Sequence, residues 1–181
     1  MTKLIQIVAP PLHPICNGRP DDWNEVEQKL RLKLPSDFKS IVNVYGSGCF
    51  SNFLYVFSPF GAVKALNLLS DCQSQILTSY REGQKEFPQY SPSFATFPDS
   101  SCLFPWATTV NGDTMFWLTK GNPDDWEVVI CDSKFSKDYD HLKYGAEAFL
   151  VEWLSGKLEL NTFPDDDGWP QRTFVPYVPK K

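Results

Sequence analysis

Apolar positions along the first fifty residues change spacing twice. Residues 1–8, Met1-Thr2-Lys3-Leu4-Ile5-Gln6-Ile7-Val8, form a short apolar run that reads as a first β-strand. Beyond a proline-bearing loop, Trp23, Val26, Leu30 and Leu34 recur at helical spacing. Asp22 reads as the N-cap of that helix, and Glu25, three residues on, completes a capping box. Pro35 ends it, because proline has no N–H to donate. Ser36 caps a second helix with Phe38, Ile41, Val42 and Tyr45 on one face and Gly46 just past its end. The two helices are expected to form a hairpin with almost no loop.

Residues 50–57 are dense in aromatic and β-branched side chains and predict a strand, closed by Pro59 and Gly61. Residues 63–80 return to helical periodicity through Leu66, Leu69, Cys72, Ile76, Leu77 and Tyr80, with an end near Gly83. Residues 87–105 are proline-bearing and read mostly as loop, with a short strand at Ala95-Thr96-Phe97. A β-meander follows, with strands at 106–110, 113–119 and 126–131. Asn111-Gly112 joins the first two as a hairpin signal, since both residue types tolerate positive φ, and Gly121-Asn122-Pro123-Asp124 makes the next turn. A last helix over 144–154 presents Phe149, Leu150, Trp153 and Leu154, with Gly156 ending it. This order predicts a single α+β domain: a mostly antiparallel sheet packed against the N-terminal helix pair and later helices.

The expected domain covers residues 1–160. Residues 161–181 form a proline-rich C-terminal extension in which Pro164, Pro170, Pro176 and Pro179 break any regular element. Phe163, Trp169, Phe174, Val175 and Tyr177 make it too apolar for a free tail, so it is expected to pack on the domain. The tetrapeptide Pro-Asp-Asp-Trp occurs at 20–23 and again at 123–126. Nothing around the two copies repeats, and the echo reads as shared turn chemistry.

Composition narrows the function classes. The chain has 181 residues, 42% of them hydrophobic, which suffices for one stable core. Five cysteines lie far apart with no CxxC and no secretory leader precedes them, which predicts reduced thiols and a cytoplasmic location. No window approaches the length of a membrane helix. The net charge of −5, with no Lys/Arg cluster, argues against direct nucleic-acid binding, which rests on neutralising phosphates. An acidic surface suits a basic protein partner instead.

Candidate chemistry is sparse. The two histidines, His13 and His141, belong to no metal-ligand pattern, and there is no GxSxG, P-loop or GxGxxG. Neither a metal nor a cofactor is implied. Asp165-Asp166-Asp167-Gly168 lacks the alternating ligands and distal glutamate of a calcium loop. A small enzyme would need His141 set against a cysteine or carboxylate in a cleft.

The order of short motifs is more specific than any one of them. Trp23-x-x-Val26-Glu27-x-x-Leu30, Leu34-Pro35-Ser36-Asp37-Phe38-Lys39 and Tyr45-Gly46-Ser47-Gly48 are followed by Leu103-Phe104-Pro105-Trp106-Ala107, Asn111-Gly112-Asp113, Val128-Val129-Ile130 and Ala148-Phe149-Leu150. Together they resemble the SUKH superfamily over about residues 21–155. Residues 88–101 and the chain beyond 161 depart from that pattern. The resemblance implies a binding protein that is not an enzyme: an immunity protein that neutralises a cognate toxin, such as a basic nuclease, by direct occlusion. The alternative is a regulatory or scaffold module with a non-toxin protein partner. On the immunity reading, Asp124, Asp125 and Trp126 at the hairpin, and Asp165, Asp166, Asp167 and Trp169 in the tail, are the expected partner contacts. The motif residues themselves are expected to be scaffold.

Overall fold

The computed structural model describes residues 1–61, 63–135, 138–164 and 169–177, with side chains described for all of these except Thr2 and residues 71–73. Its first element is a helix, α1 (Thr2–Ile7), where the short apolar run predicts a strand. Leu4 and Val8 are fully buried while Lys3, Ile5 and Gln6 face solvent, so burial recurs every fourth residue. That stripe docks on the last helix, and a helix satisfies its own backbone groups without a partner strand.

Helix α2 (Pro20–Leu30) starts earlier than Asp22, with Pro20 in the first helical position. Asp22 closes the capping box from the third position, accepting the Arg19 N–H at 2.8 Å. The helix ends at Leu30 because Arg31 turns left-handed (φ 53°), so Leu34 is buried from the connection rather than from the helix. Helix α3 (Ser36–Tyr45) then carries Phe38, Ile41, Val42 and Tyr45 into the core, as its spacing predicts.

Seven strands form one antiparallel sheet, in the order β6-β5-β4-β3-β2-β1-β7. The single strand expected at 50–57 is a tight hairpin, β1 (Gly48–Phe50) and β2 (Leu54–Val56), turned by Ser51 and Asn52 in left-handed conformation. Strands β3 (Leu103–Thr109), β4 (Thr114–Leu118) and β5 (Glu127–Cys131) make the meander. Its first turn is a three-residue loop, Val110-Asn111-Gly112, in which Gly112 alone takes positive φ (91°) and donates its N–H to Thr109 O. Strand β6 (Asp140–Leu142) has no counterpart in the sequence reading. Neither has β7 (Phe174–Pro176), which pairs with β1 although the prolines of the tail predict no regular element. Pro176 is tolerated there because β7 is an edge strand.

Helices α1, α2, α3 and α5 (Ala146–Leu154) cover one face of the sheet over the main core, where Phe38, Trp106, Trp117 and Phe149 interlock edge-to-face or stacked. Helix α4 (Asp71–Glu86) lies on the other face over a separate, smaller cluster that includes Leu103, Phe116, Val129 and Cys131. It begins later and runs further than the periodicity predicts. Residues Lys64–Leu66 form a 3₁₀ turn instead, and Gly83 stays inside the helix. The tail crosses the main core's end, burying Phe163 and half-burying Trp169 against Phe53 and Trp153. Among the described residues no helix is long and apolar enough to cross a membrane, and Cys16, Cys49, Cys102 and Cys131 are free thiols.

Candidate protein-binding surface

The turn between β4 and β5 borders two clefts that carry charged side chains. Asn122 caps a 3₁₀ turn, Pro123–Asp125, accepting N–H groups from Asp124 on its side chain and Asp125 on its carbonyl. Pro123 occupies the first helical position, where its missing N–H is harmless. The chain then drives Trp126 inward, 4% exposed, against Trp117 at 5.9 Å. Trp126 therefore supports the turn from beneath. The two aspartates diverge into different clefts.

Asp124 faces a cleft of about 530 Å³ whose walls also carry Asp37, Glu147 and Glu152. Its Oδ1 accepts the Ser36 N–H at 2.6 Å, capping α3 from 88 residues away. That hydrogen bond holds its carboxyl below the ordinary range. Asp37, in the first turn of α3, repeats the device: its Oδ2 accepts the Glu147 N–H at 2.9 Å and caps α5. Burial pushes the Asp37 carboxyl up, and the nearby charges of Glu147 and Asp124 add to this against two backbone hydrogen bonds. The Met1 ammonium rests on Glu147 in the same cleft. Four carboxylates share the concavity with two cations, Lys3 and the Met1 ammonium, so the lining keeps an excess of negative charge that favours cations over anions.

Asp125 is exposed and borders a second cleft of about 540 Å³, with Phe94, Lys120, Glu127 and His141. His141 Nε2 lies 2.7 Å from Glu127 Oε2, and the ring meets Phe94 edge-on at 5.6 Å. A histidine set against a carboxylate in a cleft is the arrangement that an enzymatic reading requires. Lys120, Asp125 and Asn122 share this cleft with the pair, and the residues lining it include no hydroxyl or thiol. Among the described residues no three His, Cys, Asp or Glu side chains are grouped to hold a metal ion.

Trp169 lies edge-on to Phe53, Trp153 and Phe163 and lines neither of these two clefts. Asp165, Asp166 and Asp167 lie outside the described residues. Asp37, Glu127, Glu147 and Glu152 join the site although the sequence reading assigns them no such role. Asp37 and Glu147 are 110 residues apart, and no local pattern joins them.

Glu27 and Trp23, from the first motif, hold the helix pair together. Glu27, 6% exposed, accepts hydrogen bonds from Lys33 Nζ (2.6 Å), Lys39 Nζ (2.8 Å) and the Leu34 N–H (3.0 Å), and so fixes the α2–α3 connection. Trp23 donates from Nε1 to Asn43 Oδ1 at 2.9 Å.

A family model, SUKH_6, described as SMI1-KNR4 cell-wall, matches residues 20–150, from the start of α2 into α5. No curated protein and no solved structure matches the chain.

Proposed function

Because the chain belongs to the SMI1-KNR4 family of the SUKH superfamily, we propose that it is a protein-binding immunity protein that neutralises a cognate bacterial toxin by covering it. The observation that carries this reading is the carboxylate-lined cleft of Asp37, Asp124, Glu147 and Glu152, flanked by the outward Asp125. On a chain of net charge −5 this end is suited to a basic protein surface, and the charge complementarity would speed encounter as well as select the partner. A basic nuclease is the partner class this chemistry favours. Occlusion needs no catalytic group on this chain.

A regulatory or scaffold module with a non-toxin partner is the second reading, favoured by the cell-wall description of the matching family. Co-expression with the product of the neighbouring reading frame separates the two. Rescue of growth together with a stable complex supports immunity, whereas absence of both toxicity and complex sinks it. Given a complex, titration calorimetry of Asp125→Lys is expected to show affinity weakened at least about tenfold, on the scale of a close interfacial charge pair. Asp124→Asn, which keeps the cap on α3, is expected to weaken it less. Unchanged affinity in Asp125→Lys would remove this end of the molecule from the interface.

A further inference from the structure

Helix α4 is held over the outer sheet face by an uneven set of contacts. Among the described side chains its inward stripe is Leu77, Tyr80 and the buried Gly83, with Ile76 alongside. A Cβ on Gly83 would lie 2.0 Å from the ring of Phe135, so that ring occupies the notch the glycine leaves. Phe135 belongs to the loop after β5 and holds φ at 50°, a left-handed conformation that aromatic side chains rarely take. Phe87, just past the helix, stacks on the same ring at 6.1 Å and 14°. The last turns of α4 are tied further by Arg81 to Thr96 and Phe97 O, and by Gln84 to Pro92 O. A cleft of about 330 Å³ opens beside Gln75, Ile76 and Ser79 and reaches Cys131 and the Phe135 ring itself.

We propose that Phe135 is a latch: seated on Gly83, it holds α4 down, and its release lets the helix lift as a unit and uncover Leu103, Phe116, Val129 and Cys131 while the main core stays folded. The helix covers a cluster separate from the main core. A segment that buries few apolar groups opens at lower free energy than the whole domain. The left-handed backbone at Phe135 persists because the ring contact holds it there. When the ring leaves, that backbone relaxes, and the open state gains what the closed state had stored.

Cys131, buried beneath α4, reports the opening, and Cys49, buried at the far end of the sheet, serves as the control. Thiol labelling of the full chain is followed residue by residue by mass spectrometry. Gly83→Ala ordinarily strengthens a helix interior. Here it is expected to expel the ring and to speed Cys131 labelling about fivefold, on the scale of a lost aromatic contact, with Cys49 unchanged. In a Phe135→Ala background, where the notch is empty, the same Gly83→Ala change is expected to slow Cys131 labelling. That reversal of sign is specific to a latch. Protection or no change at Cys131 on Gly83→Ala in the otherwise native chain overturns the proposal. So does a parallel rise at Cys49, which would mean global unfolding.

Discussion

Glu27 shows how a single charged side chain becomes structural. Burial alone would raise its pKa, yet the two lysines and the Leu34 N–H outweigh burial and bring it from an ordinary 4.5 to about 2. A carboxyl that binds its proton less readily when folded stabilises the fold above its unfolded pKa. The contribution therefore fades as pH falls from about 5 through about 2. Glu27→Gln keeps an acceptor for Leu34 but cannot hold both lysines as ions. It is expected to lose about 2 kcal/mol at pH 7, the scale of hydrogen bonds to a charged group, in urea unfolding. The gap between native and variant chains should narrow as the measurement is repeated toward pH 2. A gap independent of pH would mean that the glutamate acts by shape alone.

Elements in this fold are capped by one another. Asp22 closes α2 locally, Asp124 caps α3 from the β4–β5 turn, and Asp37 in α3 caps α5. Each carboxylate satisfies N–H groups that a helix start leaves open. Asp37→Ala is expected to cost about 1–2 kcal/mol, seen as a lower melting temperature, while Asp37→Asn recovers part of it through the retained oxygen. Equal loss in both variants would assign the effect to charge instead. The repeated Pro-Asp-Asp-Trp also belongs at this scale. In both copies proline opens a helical turn and tryptophan is buried, but the first runs on as α2 and the second stops as a 3₁₀ turn before β5. Local chemistry decides how a helical turn begins, and the partner elements decide how long it lasts.

At the scale of the whole molecule the tail is a strap. It adds β7 to the sheet beside β1 and lays Phe163 and Trp169 over Phe53 and Trp153. Deleting residues 162–181 is expected to lower unfolding free energy by more than about 3 kcal/mol, the cost of emptying a large aromatic site, as a shift in urea midpoint. An unchanged midpoint would show that the tail packs without stabilising. The deletion leaves the acidic cleft intact, so a neutralising complex should still form at low temperature if that cleft is the interface.

Long amphipathic stretches and the meander are determined by sequence alone. The stripe of α3 and the Phe149–Trp153 face of α5 repeat at the helical period, and the meander strands stand out as short apolar and aromatic runs between turn signals, although β3 begins at Leu103, inside the stretch that reads as loop. The turn chemistry at Gly112 and Pro123 belongs with them, because proline and glycine restrict the backbone without help from neighbours. Other features needed the tertiary structure. The first eight residues became a helix because α5 offered an apolar surface. Strands β1, β2, β6 and β7 have three residues each, too few to show a period, and exist through their neighbours' hydrogen bonds. The candidate site is of the same kind. Asp124, Asp37 and Glu147 meet through contacts 88 and 110 residues apart, and a charge cluster assembled across such distances leaves no local mark on the chain.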